Sequence, residues 1–201
     1  MNRIPDNWLE ESLRYYGCLV CHALSRIEFD LLAELQGLGE GSALVEVKAG
    51  RRIGFCNLHF WRLYRMMSPR VAAPFLHKIF KRLIESNTMT FDEPCRVCMI
   101  LNEVDKELLH QLIEQLENLK IREHYERTDG ICLPHFHRLL TSDLVTVEMR
   151  NFLTSKQTEN GERLLPLLQG LADKSYSLAN DLERGSLTRG VEKLVGREGL
   201  G

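Results

Sequence analysis

One pattern of cysteine and histidine occurs twice in the chain and constrains the fold more than any other feature. Cys-x2-Cys begins at position 18 and again at position 95, a shift of 77 residues. GFCNLHF at 54–60 recurs as GICLPHF at 130–136, a shift of 76 residues. Such a repeat indicates two copies of one supersecondary unit. The repeated residues are Cys18, Cys21, Cys56 and His59 in the first copy, and Cys95, Cys98, Cys132 and His135 in the second.

These residues are typical of metal ligands. They include all six cysteines of the chain. Three cysteines and one histidine suit a closed tetrahedral zinc site, so we predict two structural zinc ions per chain. Because thiolates also dominate iron–sulfur sites, a [4Fe–4S] cluster with one histidine ligand is the main alternative. Disulfides or free thiols are the remaining alternative.

The spacing leaves the pairing of the ligands open. In the simplest assignment, each copy holds its own ion. A swapped arrangement, in which Cys18 and Cys21 pair with Cys132 and His135, has the same composition and is not excluded. CLVCH at 18–22 also matches a haem-attachment motif. Because its histidine, His22, is replaced by Met99 in the second copy, we do not interpret it as a haem ligand.

The pattern of apolar residues predicts a mostly α fold: a helical two-repeat, metal-stapled fold with pseudo-twofold internal symmetry. Leu24, Ile27 and Leu31 recur at helical spacing. Helices are expected over 6–16, 19–36, 57–67, 70–86 and 96–126, and a short helix is expected to begin at about 134. A further helix is expected from 142 or 143 to about 184, with a break near 161 and 166, and a last one over 186–195. GLGEG at 37–41 is expected to end the second helix, and 42–55 to form a loop or short hairpin. The expected domains are a first repeat over 1–88, a second repeat over 89–141 and a helical extension over 142–201.

The paired motifs resemble those of an uncharacterised bacterial family, a domain of unknown function with CxxC and GxCxxH units. The family's helical tail pattern corresponds here to Glu183, Ser186, Leu194 and Gly196. The resemblance spans nearly the whole chain. It implies metal binding and a bacterial cytoplasmic origin, and it implies no activity.

A long basic segment is the second notable feature. Val47 to Ile84 contains no acidic residue. A segment of this kind, interleaved with Trp61, Tyr64, Phe75 and Phe80, could contact nucleic acid or another polyanion. The alternative is that it pairs with acidic helices of the same chain while the aromatic residues form core. The candidate polyanion-binding residues are Arg51, Arg52, Arg62, Arg65, Arg70, Lys78, Lys81 and Arg82.

The function predicted from these features is binding or scaffolding rather than catalysis. The N-terminal region does not match a secretory signal, and no apolar run is long enough to span a membrane. We therefore expect a cytoplasmic protein with a protein or nucleic-acid partner and no membrane contact. An iron–sulfur protein in electron transfer or redox sensing is the alternative, and a thiol oxidoreductase is a third hypothesis that does not account for the repeated histidines.

Overall fold

The computed structural model of this chain describes residues 3–40, 55–86, 94–173 and 176–198. All regular structure within those ranges is helical, so the mostly α class is confirmed. The helices are α1 (Trp8–Ser12), α2 (Leu19–Glu40), α3 (Asn57–Met66), α4 (Pro69–Ser86), α5 (Arg96–Leu116), α6 (Leu119–Glu126), α7 (Leu133–Leu140), α8 (Val147–Ala172) and α9 (Asp181–Val195). In the described part of the chain, no helix is long and apolar enough to cross a bilayer.

The chain divides into two compact units, and their boundaries fall inside α2 and α5. Unit 1 comprises 1–25 and 104–201, and unit 2 comprises 26–103. This is a different division from the three segments expected from the repeat. That segmentation and the pseudo-twofold relation of the two copies stay predictions from the sequence.

Unit 1 is organised around one face of α5. Leu108, Leu112 and Leu116 are each 0% exposed. Their four-residue spacing places them on one stripe of the helix, and full burial of a leucine is worth about 1.5–3 kcal/mol. Leu139 of α7 and Leu153 of α8 are buried in the same unit, and α9 packs against both α7 and α8.

Unit 2 has a smaller described core. Ile27 and Leu31 of α2 are buried, as are Leu63 of α3 and Phe75 of α4. The rings of Phe60 and Phe75 stack with centroids 6.2 Å apart, which links α3 to α4. Residues 42–54 of the predicted loop or hairpin lie outside the described residues.

The long helix predicted over 96–126 is two helices. α5 ends at Leu116, and α6 begins after Asn118, whose side chain accepts a hydrogen bond from the amide of Lys120 at 3.0 Å. Arg122 Nε donates to the Leu116 carbonyl at 3.0 Å and so satisfies a free group at the end of α5. An asparagine cap stabilises a new helix start, which the apolar periodicity does not reveal.

The opposite difference occurs in α8, where the predicted break is absent. The helix runs unbroken through Gly161 and Pro166, and its cap is Thr146 rather than Ser142 or Asp143. Pro166 and Glu162 are exposed, so water can reach the carbonyl that the proline leaves without an amide partner. The last helix also begins earlier than predicted, at Asp181, and α2 continues through the glycines to Glu40.

Candidate metal centres

The eight repeated residues form two clusters of four in the structure. The donor atoms of each cluster all lie within 4.8 Å of one another. The pairing is the swapped one, because Cys-x2-Cys of one copy meets Cys-x2-His of the other. Of the two pairings that the spacing leaves open, the structure therefore has the one between copies. Cluster 1 consists of Cys18, Cys21, Cys132 and His135 in unit 1, and cluster 2 of Cys56, His59, Cys95 and Cys98 in unit 2.

Each cluster lies where two helices begin. Cys56 caps α3 with φ −75° and ψ 167°, and Cys132 caps α7 with φ −72° and ψ 163°. Cys18 and Cys95 directly precede α2 and α5, and their carbonyls accept hydrogen bonds from the amides of His22 and Met99, each at 3.0 Å. Because free amides and the helix dipole make a helix N-terminus positive, these positions favour thiolate.

Several hydrogen bonds fix the backbone of the turn that precedes Cys132. Thr128 Oγ1 donates to the Tyr125 carbonyl at 2.7 Å and accepts from the Gly130 amide at 3.0 Å. Gly130 has φ +70°, and a Cβ there would lie 3.1 Å from the Tyr125 hydroxyl oxygen. The Gly130 carbonyl accepts from the Leu19 amide at 3.2 Å. This last bond joins the turn to the start of α2, and thus the two cysteine motifs of cluster 1.

Polar side chains of α8 and α9 hold the same turn from outside. Asn160 Nδ2 donates to the Asp129 carbonyl at 2.8 Å, and Gln157 Nε2 to the Ile131 carbonyl at 3.0 Å. Lys193 Nζ of α9 donates to both carbonyls, at 2.7 and 2.8 Å. The C-terminal helices therefore contribute to the geometry of cluster 1, although they contain none of its donors.

In both clusters the histidine directs Nδ1 at the cysteines. In cluster 1, His135 Nδ1 lies 3.4, 3.6 and 3.0 Å from the sulfurs of Cys18, Cys21 and Cys132. In cluster 2, His59 Nδ1 lies 3.2, 3.3 and 3.2 Å from those of Cys56, Cys95 and Cys98. One nitrogen and three sulfurs thus surround a common centre in each unit.

The other ring nitrogen of each histidine faces a buried carboxylate. His59 Nε2 lies 3.2 Å from Glu28 Oε1, and neither atom has another hydrogen-bond partner among the described residues. His135 Nε2 lies 3.1 Å from Asp105 Oδ1. An arginine three residues after each histidine pairs with the second carboxylate oxygen: Arg62 with Glu28, and Arg138 with Asp105. Carboxylates in this position fix the ring orientation and tautomer of a metal-binding histidine.

The pKa values of the thiols show that the donors compete for protons. Burial, followed by hydrogen bonds to Cys132 and Cys21, raises the pKa of Cys18 well above its usual value. A hydrogen bond from Cys18 lowers the pKa of Cys132 far below its usual value. In cluster 2, partial desolvation of the Cys98 sulfur and its hydrogen bonds with Cys56 and Cys95 raise the pKa of Cys98 to about 12. Sulfurs this close cannot all be ionised unless a cation compensates their charge, and a coordinated metal ion does so.

The exposure of the ligand residues distinguishes the two clusters. All four residues of cluster 1 are buried, whereas Cys98 of cluster 2 is exposed and Cys56 is partly exposed. The C-terminal segment covers cluster 1: the Arg197 amide donates to Cys21 Sγ at 3.4 Å. Gly196 has φ +82°, and a Cβ on it would lie 3.4 Å from the Cys21 sulfur and 3.5 Å from the Cys132 sulfur. Glycine thus allows the backbone to approach the sulfurs.

His22, which completes the haem-type motif, is not part of either cluster. Its ring stacks on Tyr15 with centroids 4.0 Å apart, and its Nδ1 lies 3.3 Å from Ser12 Oγ. A cavity of about 170 Å³ lies beside it. The cavity lining is Tyr15, Tyr16, Cys18, Cys21, His22, Glu192 and Arg197.

The candidate polyanion-binding residues have different surroundings. Arg62 pairs with the buried Glu28, so it supports cluster 2 rather than forming a free surface cation. Lys81 Nζ lies 3.8 Å from Oε1 of Glu85, which is one helical turn away. Three further residues, Arg65, Arg70 and Lys78, are exposed. Arg51 and Arg52 lie outside the described residues, as does the side chain of Arg82.

Sequence reasoning missed three residues that support the clusters. Glu28 and Asp105 are related by the same 77-residue shift as the Cys-x2-Cys motifs, so the repeat contained a signal for them. Lys193 has no counterpart in the repeat, and its contact with the turn comes from the docking of α9. Gly196 belongs to the tail pattern, which does not link it to the metal ligands.

Comparisons with protein-family models, curated proteins and solved structures found no match to this chain.

Proposed function

We propose that the chain is a zinc protein in which each cluster holds one ion, and that the ions stabilise a helical scaffold for binding a partner. The observation that carries this proposal is the donor set: three sulfurs and one Nδ1 around a common centre, with Nε2 of each histidine against a buried carboxylate. The proposed kinship with the bacterial family of paired CxxC and GxCxxH units rests on the same motifs.

The distances between donors favour a single ion over an iron–sulfur cluster. With zinc–sulfur bonds near 2.3 Å and zinc–nitrogen bonds near 2.0 Å, tetrahedral geometry separates two sulfurs by about 3.8 Å and a sulfur from the nitrogen by about 3.5 Å. The Cys21–Cys132 and Cys56–Cys98 sulfurs are 3.9 and 3.7 Å apart. In a [4Fe–4S] cluster each ligand binds a different iron atom, so its ligands stand farther apart.

A closed donor set supports a structural role rather than catalysis. Four protein ligands fill a tetrahedral zinc ion and leave no position for substrate. The ion joins two helix N-termini in each unit, so its binding free energy becomes folding free energy. All six cysteines are free thiols in the structure, which fits a reducing compartment, and we propose the cytoplasm.

Metal analysis of anaerobically purified protein, with a visible spectrum of the same sample, tests this proposal. We expect two zinc ions per chain and a colourless solution. Iron with inorganic sulfide and a brown colour would contradict it and support the alternative, an iron–sulfur protein in electron transfer or redox sensing.

As a second candidate function, we propose that α3 and α4 bind a polyanion. Arg65, Arg70 and Lys78 are exposed on these helices, and Trp61 and Tyr64 are 51% and 43% exposed with ring centroids 5.6 Å apart. Exposed aromatic rings among cations suit stacking with bases and contacts with phosphates. Phe75 does not belong to this surface, because it is buried.

The test is retention of single-stranded nucleic acid at low salt by the intact chain and by a variant with Arg65→Ala, Arg70→Ala and Lys78→Ala. We expect the variant to lose binding and the wild type to weaken steeply with salt. The matched control replaces three exposed cations of unit 1, Lys120→Ala, Arg127→Ala and Arg150→Ala. Equal binding by both variants, or no binding by the wild type at low salt, would contradict this surface.

A further inference from the structure

The two clusters differ at one edge, which is formed in each by the second cysteine of Cys-x2-Cys and the cysteine of Cys-x2-His. In cluster 1 this edge is Cys21 and Cys132, whose exposed fractions are 1% and 0%. Gly196 lies against both sulfurs, and the Arg197 amide donates to Cys21 Sγ. The cavity beside Cys18 and Cys21 brings solvent close, yet both residues remain buried.

The corresponding pair of cysteines in cluster 2 is more exposed. The repeat aligns Cys98 with Cys21 and Cys56 with Cys132. Their sulfurs are 3.7 Å apart, close to the 3.9 Å of the covered pair. Cys98 is nevertheless exposed and Cys56 partly exposed. The same donors with the same spacing are therefore more exposed in cluster 2 than in cluster 1.

We propose that the Cys56–Cys98 edge of cluster 2 is an oxidation site for a small peroxide, and that its oxidation releases one of the two metal ions. This inference rests on the proposed function, because it concerns the same ligands. Reactive cysteines are those whose thiolate is accessible. Zinc keeps a coordinated thiol ionised, so Cys98 is both ionised and accessible when cluster 2 holds its ion.

The step is a two-electron oxidation of two thiolates by one peroxide. The Cys98 sulfur attacks a peroxide oxygen, the O–O bond breaks, and Cys98 becomes a sulfenic acid as the leaving oxygen takes a proton. The Cys56 thiolate then attacks the Cys98 sulfur, forming the disulfide while the sulfenic oxygen leaves as water with a second proton. With hydrogen peroxide the products are one disulfide and two water molecules.

The geometry allows the second step within the folded unit. The two sulfurs need to close from 3.7 Å to about 2.05 Å, a small movement at the start of α3 and α5. Cluster 2 then retains Cys95 and His59 as donors, which is too few for a closed zinc site. Cluster 1 keeps all four donors, so a chain oxidised in this way holds one ion instead of two.

The experiment exposes the zinc-loaded full chain to hydrogen peroxide in the presence of a chromophoric zinc indicator and maps the disulfides by mass spectrometry. We expect release of half of the bound zinc, a Cys56–Cys98 disulfide, and unmodified cysteines of cluster 1. Release of both ions at one rate, release of neither, or a first disulfide within cluster 1 would overturn the inference. A preparation that contains no metal before oxidation would instead contradict the proposed function itself.

Two matched variants test whether Gly196 and Arg197 protect cluster 1 from peroxide. A variant that ends at Val195 lacks Gly196 and Arg197, and Arg197→Pro keeps the chain but removes the amide that donates to Cys21 Sγ. We expect peroxide to release zinc from cluster 1 faster in both variants than in the wild type, with release from cluster 2 unchanged. If cluster 1 stays resistant in both variants while helix content is unchanged, Gly196 and Arg197 are not what protects it.

Discussion

At the scale of single residues, each cluster is more than its four donors. Glu28 and Asp105 are both 4% exposed, and an isolated carboxylate at such a depth would be costly. Each one faces a histidine on one side and an arginine on the other. The pairing of Arg with carboxylate and of carboxylate with His therefore compensates the buried charge and holds Nδ1 toward the sulfurs.

Removing the charge of one carboxylate tests this role. We expect Asp105→Asn to lower the zinc affinity of cluster 1 by about 10–100-fold and to leave cluster 2 unchanged, since outer partners of a metal-binding histidine have effects of this size. Competition with a chromophoric chelator measures both affinities. Glu103→Gln, an exposed acidic residue on the same helix, is the control. An affinity equal to that of the control would show that Asp105 does not position His135.

At the scale of helices, the sequence predicts the metal ligands more accurately than it predicts the ends of the helices. The Cys-x2-Cys motifs correctly predicted starts near Leu19 and Arg96, because the cysteines themselves cap the helices. The division at Asn118 and the continuity of α8 through Pro166 depend on one side-chain bond and on solvent access, and apolar periodicity contains neither. The spacing also does not decide which Cys-x2-Cys motif pairs with which Cys-x2-His motif, because both arrangements bring three cysteines and one histidine together.

The capping of α9 is a second feature with a measurable contribution. Asn180 accepts from the Glu183 amide at 2.9 Å, and the Glu183 carboxylate accepts from the Asn180 amide at 2.9 Å. We expect Asn180→Ala to lower the free energy of unfolding by about 1 kcal/mol, a typical loss for an N-cap. Urea unfolding followed by circular dichroism measures it, with Asn151→Ala on the exposed face of α8 as the control. A loss no larger than the control's would exclude a stabilising cap.

At the scale of the whole molecule, each compact unit contains one complete cluster. The clusters join helix starts that are distant in the sequence, at positions 18 and 132 in unit 1 and 56 and 95 in unit 2. A structural zinc site contributes on the order of 10 kcal/mol to folding, which is as large as the total stability of many domains. The fold is therefore expected to depend on its metal ions.

Removal of the metal tests that dependence. We expect a strong chelator to abolish cooperative thermal unfolding and to reduce helix content, measured by circular dichroism, because the free thiols cannot hold the helix starts together. Addition of about two equivalents of zinc under reducing conditions should restore both. An apo protein that keeps its helix content and its cooperative transition would show that the clusters contribute little to folding.

A crystal structure of the purified protein, with anomalous scattering recorded at the zinc absorption edge, would locate the metal ions directly. We expect two single-atom peaks per chain, one bound by Cys18, Cys21, Cys132 and His135 Nδ1 and the other by Cys56, Cys95, Cys98 and His59 Nδ1. A peak shared by Cys18, Cys21, Cys56 and His59, or a multi-iron cluster at either position, would contradict this assignment.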